Sequence, residues 1–465
     1  MKKTAFLTLL FLTTLTAFAQ DITGDWNGAL KVQGIQLRLV FHITKTDTGY
    51  TATMDSPDQG AKGIPVTTTT FVAPTVTLEI AAAHIVYTGD LKNNGISGIF
   101  KQGGMEFPMD LSRDAIGEQT YKRPQEPKQP YPYYSEDITF TNPKANITLA
   151  GTLTLPKKEG VFPVVVLISG SGPQNRNEEL LGHKPFLVLS DYLTKHGIAV
   201  LRYDDRGIAQ SKGDFKTATT ADFATDAESA IAYLKTRKEI NPKKIGLMGH
   251  SEGGLVAPMV AARSKDVSFI VLLAGPGMRG DKLLLLQQEL VAKASGATAT
   301  EIKDAKIMNG YCFDKVINSK DDATLKTDLT QYLTGILKET PKEQKPEGIT
   351  DEENVAMQVN QITNPWMLYF LRCNPATALE KVKCPVLAVN GAKDLQVPPK
   401  ENIEGITKAL LKSGNKKVTT RVFPNLNHLF QECTTGSPSE YVQIEQTISP
   451  IVLEEVTQWI VNRTK

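Results

Sequence analysis

Ser251 lies in the run Gly249-His250-Ser251-Glu252-Gly253, a hydroxyl flanked by small residues between an apolar stretch and a helical pattern. A sharp turn there would force the hydroxyl outward. A serine hydroxyl is a poor nucleophile near neutral pH, so it needs a base to take its proton and a third group to fix the base's tautomer. The chain has six histidines, so the search is short. His42 and His84 fall in a β-patterned N-terminal region and read as strand residues. His183 and His196 precede or end an early helix, and His250 lies inside the turn, directed away from its neighbour's hydroxyl. His428 remains, in the loop Pro424-Asn425-Leu426-Asn427-His428 after an expected strand. The acid should also follow a strand, and Asp394 does so in Asn390-Gly391-Ala392-Lys393-Asp394, after the apolar run Pro385 to Val389. Ser251, Asp394 and His428 would together attack a carbonyl carbon.

The oxyanion formed by that attack needs preorganised N–H donors. The backbone N–H of Glu252 is one candidate. The turn Ser169-Gly170-Ser171-Gly172-Pro173-Gln174 offers the second. Pro173 has no N–H, which makes Ser171 the first choice and Gly172 the alternate. A phosphate-cradling loop is the competing reading of this turn, but the Lys and Ser/Thr ending of a P-loop is missing. The Glu252 side chain is expected to complement a helix N-terminus. This chemistry requires no metal and no organic cofactor. Cys312, Cys373, Cys384 and Cys433 fit no zinc spacing and read as buried thiols or as members of up to two disulfides, with Cys384 in the core.

Strands alternating with helices must carry these groups. From residue 135 onward an alternating strand (Ile147, Leu149, Leu153, Leu155) precedes the continuous apolar run Val164 to Ile168, read as a strand buried on both faces. A helix over 185–196 leads to a strand over 198–203, and Phe223, Ala227, Ala230, Ile231 and Leu234 recur at helical spacing before a strand over 244–248. Further strands are expected over 268–273, 385–389 and 418–423, with a last helix opening at Ser449 and Pro450. The rhythm stops between about 278 and 378, where a mostly helical insertion reads as a cap over the C-terminal edge of the sheet. Before all this, residues 20–115 alternate over short runs, such as Val76, Leu78 and Ile80, with Asn94-Gly95 as the clearest turn signal. They read as a small antiparallel β domain, followed by a Pro-rich linker over 116–134.

Residues from about 135 to 465 resemble the α/β-hydrolase superfamily, specifically capped bacterial serine esterases related to the serine aminopeptidase-like group. The resemblance rests on Gly249 to Gly253, on the acid loop Gly391 to Pro398, on the His428 loop and on the chain order Ser251, Asp394, His428. A fourth landmark, Tyr203-Asp204-Asp205-Arg206-Gly207-Ile208-Ala209-Gln210-Ser211, is similar to the family's DxRGxGxS turn, with Ala209 where glycine is usual. The resemblance implies a doubly wound, mostly parallel α/β sheet with a helical cap, and cleavage of carboxylic esters through an acyl-enzyme. Asp204 and Arg206 would support the loop beneath the site. A peptidase or amidase using the same trio is the alternative, and an inactive binding scaffold a more distant one. An N-terminal β domain before such a hydrolase is similar to extracytoplasmic bacterial carboxylesterases.

Composition agrees with a folded chain of two or three units: 465 residues, 41% hydrophobic and 22% charged. Lys and Arg number 52 against 50 Asp and Glu, and without Lys2 and Lys3 the balance is 50 against 50. That neutrality argues against a nucleic-acid partner. Lys2 and Lys3, the apolar stretch from Ala5 to Leu15, and Ala17 and Ala19 have the layout of a secretory signal peptide over 1–19, which implies export to the periplasm or beyond. No later segment is apolar enough for stable membrane insertion. The expected partner is a small-molecule ester.

Overall fold

The computed structural model describes residues 21–465 apart from 33–34, 60, 103–104, 118–120, 342–344 and 346–348. The expected leader therefore lies outside the described residues. The chain divides into two compact units, one chiefly within residues 21–117 and the other chiefly within 121–465.

The first unit is a curled antiparallel sheet of β1 (Gly24–Val32), β2 (Ile35–Thr46), β3 (Gly49–Ser56), β4 (Ala61–Pro65), β5 (Thr68–Val72), β6 (Thr75–Ile80), β7 (Ile85–Lys92), β8 (Gly95–Gln102) and β9 (Met105–Ser112). Its strand order is β4-β3-β2-β1-β9-β8-β7-β6-β5. Alternation sends Leu39, Phe41 and Ile43 of β2 and Val76, Leu78 and Ile80 of β6 into one core with Trp26 and Tyr87. The hairpin between β7 and β8 pairs Lys92 with Gly95, so its turn is Asn93-Asn94, with Asn93 at φ +56°, one residue earlier than the Asn-Gly signal suggests. His42 is a strand residue, as expected, and contacts Asp25 and Asp55. His84 is not: it ends a short turn before β7 at φ +50°.

The second unit is built on β10 (Tyr134–Asn142), β11 (Ile147–Leu155), β12 (Phe162–Ile168), β13 (Ala199–Tyr203), β14 (Ile240–His250), β15 (Val267–Leu273), β16 (Val386–Gly391) and β17 (Val418–Phe423). The order is β10-β11-β13-β12-β14-β15-β16-β17, antiparallel as far as β13 and parallel thereafter. Successive residues of β12 feed opposite faces. Val164, Val166 and Ile168 pack under α2 (Thr220–Leu234), α3 (Gly253–Ala261) and α10 (Pro399–Lys412). Val165 and Leu167 pack under α1 (Pro185–Lys195) and α11 (Pro450–Thr464) on the other face. This is the α/β-hydrolase fold.

The cap lies between β15 and β16: α4 (Gly280–Ala294), α5 (Ala299–Asn318), α6 (Asp322–Glu339), α7 (Asp351–Thr363) and α8 (Pro365–Arg372), after which α9 (Ala376–Leu379) returns to the core. Side-chain caps start α5 at Thr298, α6 at Asp321, α7 at Thr350 and α8 at Asn364. Leu325, Leu329, Leu333 and Leu337 form one stripe of α6 and bury against Phe313, Val316, Val355 and Val359, giving the cap its own core.

The Pro-rich segment has no helix or strand from residue 121 to 133, but it is pinned down. Arg123 donates to the carbonyls of Leu181, Val442 and Ile444, and the Gln125 side-chain oxygen accepts from the N–H groups of Thr447 and Ile448. All four cysteines are free thiols. No helix among the described residues is long and apolar enough to cross a membrane.

Candidate active site

Ser251 stands in the turn between β14 and α3 at φ +51°. The left-handed conformation costs a residue with a Cβ roughly 1–2 kcal/mol, so the surroundings must enforce it. Its N–H donates to the Leu273 carbonyl at 2.9 Å, and its own carbonyl accepts from Gly254 at 2.8 Å. The flanking glycines are steric requirements. A Cβ at Gly249 would stand 1.9 Å from the Gly253 carbonyl oxygen, and one at Gly253 would stand 2.2 Å from that of Ile168.

Asp394 follows β16. Its Oδ1 accepts from the N–H groups of Gln396 and Val397, both at 2.8 Å, and Oδ2 faces His428 Nδ1 at 2.8 Å. Asp394 and His428 are both buried. A carboxylate oxygen only accepts, so Nδ1 carries a proton, and in the neutral ring Nε2 keeps its lone pair. Ser251 reaches this pair through its neighbour. His250 Nε2 donates to the His428 carbonyl at 3.1 Å, with ring centroids 4.8 Å apart. The Ser251 hydroxyl is hydrogen-bonded to none of the described residues, His428 included. Such bonds are commonly slack before substrate binds.

His250 contributes more than its place in the motif indicates. Its Nδ1 lies 2.9 Å from Glu178 Oε1, while Nε2 serves the His428 carbonyl. Both partners are pure acceptors, so both nitrogens must donate and the ring is an imidazolium. Burial pushes the His250 pKa down, but the charge and hydrogen bond of Glu178 outweigh it and leave the pKa raised above 6.5. The same Glu178 oxygen accepts the Gly170 N–H at 2.7 Å. Glu178 thereby ties the turn after β12 to the residue before Ser251.

That turn abuts Ser251: a Cβ at Gly170 would lie 3.2 Å from Ser251 Cβ. The Gly170 N–H is committed to Glu178, whereas those of Ser171, Gly172 and Glu252 donate to none of the described residues. The Glu252 side chain stands at the start of α3, as expected, and is 2% exposed; its Oε1 accepts from Thr220 Oγ1 at 2.6 Å and from Trp366 Nε1 at 2.8 Å. Its Oε2 is buried without a partner. The reason is the cap, which closes over this position with Trp366. Burial raises the Glu252 pKa, opposed by the two donors.

Asp204 and Arg206 are structural. Arg176 grips both Asp204 oxygens at 3.0 and 2.7 Å, and Arg206 grips Asp226 on α2 at 2.8 and 2.9 Å. Ala209 keeps the turn that a glycine would make, at φ +47°. Between them, Asp205 accepts the Gln174 N–H, and burial drives its pKa well up, helped by the nearby charges of Glu252, Glu178 and Asp226. Glu178, Arg176, Thr220 and Trp366 escaped the sequence reading because no motif marks them. Each is tied to the site only through chain-distant contacts.

Residues 146–411, more than half of the chain, match the family described as X-Pro dipeptidyl-peptidase (S15 family). Esterase EstD of Thermotoga maritima is 25% identical over 386 residues, covering 82% of this chain and 81% of that protein. A putative hydrolase, YtaP of Bacillus subtilis, is 29% identical over 133 residues, 25% of this chain and 44% of its own. Among solved structures, an esterase of Pyrococcus furiosus aligns with 16% identity and a TM-score of 0.43, over 75% of this chain and all of that one. The chain belongs to the X-Pro dipeptidyl-peptidase (S15) family and is an α/β serine hydrolase.

Proposed function

We propose that the protein is an exported carboxylesterase that cleaves small-molecule esters through Ser251, His428 and Asp394. His428 Nε2 takes the Ser251 proton as the hydroxyl oxygen attacks the ester carbonyl. The N–H groups of Glu252 and Ser171 receive the oxyanion, the alcohol leaves with the proton held by His428, and water activated by the same base releases the acid. The observation that carries this reading is the 2.8 Å contact between Asp394 Oδ2 and His428 Nδ1, because it fixes the tautomer a serine base requires. The strained, glycine-flanked Ser251 supports it. The likeness to esterase EstD supports an ester, and the layout of residues 1–19 supports export.

The family description favours a second reading, peptide-bond cleavage by the same trio. A side chain beside the nucleophile could then receive a substrate amine, but the Glu252 carboxyl is enclosed by Thr220 and Trp366. Purified protein offered p-nitrophenyl acyl esters and aminoacyl anilides should turn over the esters. Cleavage of anilides alone would overturn the choice.

A further inference from the structure

A cavity of about 740 Å³ lies between the elbow helix and the cap, and none of Ser251, Asp394 or His428 lines it. Its size falls within the roughly 300–1,000 Å³ typical of small-molecule sites. One wall is the face of α3 presenting Leu255, Pro258, Met259 and Ala262, positions three and four apart. The neighbouring positions Val256, Ala257 and Val260 fill the sheet core, against which Met259 packs in part. Leu368 and Tyr369 of α8 form the opposite wall.

The rim has one sign of charge. Its charged side chains are Arg263, Arg372 and Lys381, and no carboxylate lines the cavity. Arg263 shares its guanidinium with Glu228, and Arg372 Nε donates to the Val316 carbonyl at 3.0 Å. The Lys381 ammonium has no ion-pair partner among the described residues. An apolar interior under a cationic rim is complementary to an apolar tail ending in an anion, and repels a cation.

We propose that this cavity is a second ligand site, for an amphipathic carboxylate such as a medium-chain fatty acid. An occupant would lie beside the residues that hold Glu252. Thr219 and Pro365, both lining residues, directly precede Thr220 and Trp366, the two donors to Glu252, and Leu255 lies one helical turn beyond Glu252. The site stands independently of the ester reading, because it needs no catalysis to exist.

Calorimetric titration with octanoate tests it on the full protein, with octanol as the uncharged control. Octanoate should bind, and octanol should bind about fivefold more weakly, the loss expected for a partly exposed ion pair. Lys381→Glu should weaken octanoate by about fivefold or more, and Ala262→Trp should abolish its binding by filling the cavity. Both variants should hydrolyse p-nitrophenyl esters as the wild type does when octanoate is absent. No octanoate binding, equal affinity in wild type and Lys381→Glu, or competitive displacement of octanoate by the ester substrate would each overturn the proposal. If Ala262→Trp fails to fold, Lys381→Glu decides alone.

Discussion

Trp366 of the cap donates its indole N–H to Glu252, the residue that follows Ser251, across 2.8 Å. The same carboxyl oxygen is held by Thr220 from the core, so one buried atom fastens the cap helix α8 and the start of α2 to the turn at Ser251. Trp366→Phe keeps an aromatic ring stacked on Phe370 but deletes the donor. Removing one of the two donors to a buried carboxyl in this way should cost about 1–3 kcal/mol of unfolding free energy. A loosened cap should also lower kcat/KM for p-nitrophenyl esters by about tenfold or more. Urea titration and steady-state kinetics check both, and a variant unchanged in both would show that the bond holds nothing in place.

The Glu178 and His250 pair gives a pH signature. The folded His250 pKa is raised above 6.5, so the pair's contribution to stability is fully present below that value and is lost as pH rises through the raised pKa. Glu178→Gln removes the counter-charge and should flatten this part of the stability profile, with the largest loss relative to wild type at the acid end. Unfolding free energies measured from about pH 6 to 9 would test it. A constant offset between the two proteins across that range would contradict the imidazolium assignment.

Gly253→Ala probes the elbow itself. The added methyl would meet the Ile168 carbonyl oxygen at 2.2 Å, and backbone cannot yield as a flexible side chain does. A loss of at least about 3 kcal/mol or failure to fold is expected. A stable, fully active Gly253→Ala protein would mean that α3 does not approach β12 as described.

Ala209→Gly should act in the opposite direction. Ala209 holds φ +47°, a conformation glycine adopts freely, and relief of the strain exceeds the extra entropy glycine brings to the unfolded chain. Stability should rise by about 0.5–1 kcal/mol, read as a higher urea midpoint at unchanged slope. A lower midpoint would place the strain elsewhere.

Much of this architecture was legible because its signals are local. The β12 run Val164 to Ile168, the α2 positions Ala227, Ala230 and Ile231, and the α11 start at Ser449 and Pro450 each state their own periodicity or boundary. Asp394 was findable because it follows the readable apolar run Pro385 to Val389, and His428 because the other five histidines could be set aside, and the structure brings the two together. Glu178 and Trp366 were not, since their roles depend on where a loop and a cap helix return to the sheet across a long chain separation. The burial of the Glu252 side chain was not legible for the same reason, since it depends on Trp366 closing over the start of α3. Asn94-Gly95 misled by one residue because strand pairing from Lys92 to Gly95 set the turn at Asn93-Asn94.

The central claim is that His428, oriented by Asp394, activates Ser251. Labelling of the folded protein by a fluorophosphonate probe, followed by peptide mass mapping, reads this directly, because the probe reacts only with an activated hydroxyl. A single adduct on Ser251 is expected, absent in Ser251→Ala and slowed by about a thousandfold or more in His428→Ala. An adduct on another serine, or wild-type labelling of Ser251 in folded His428→Ala protein, would contradict it.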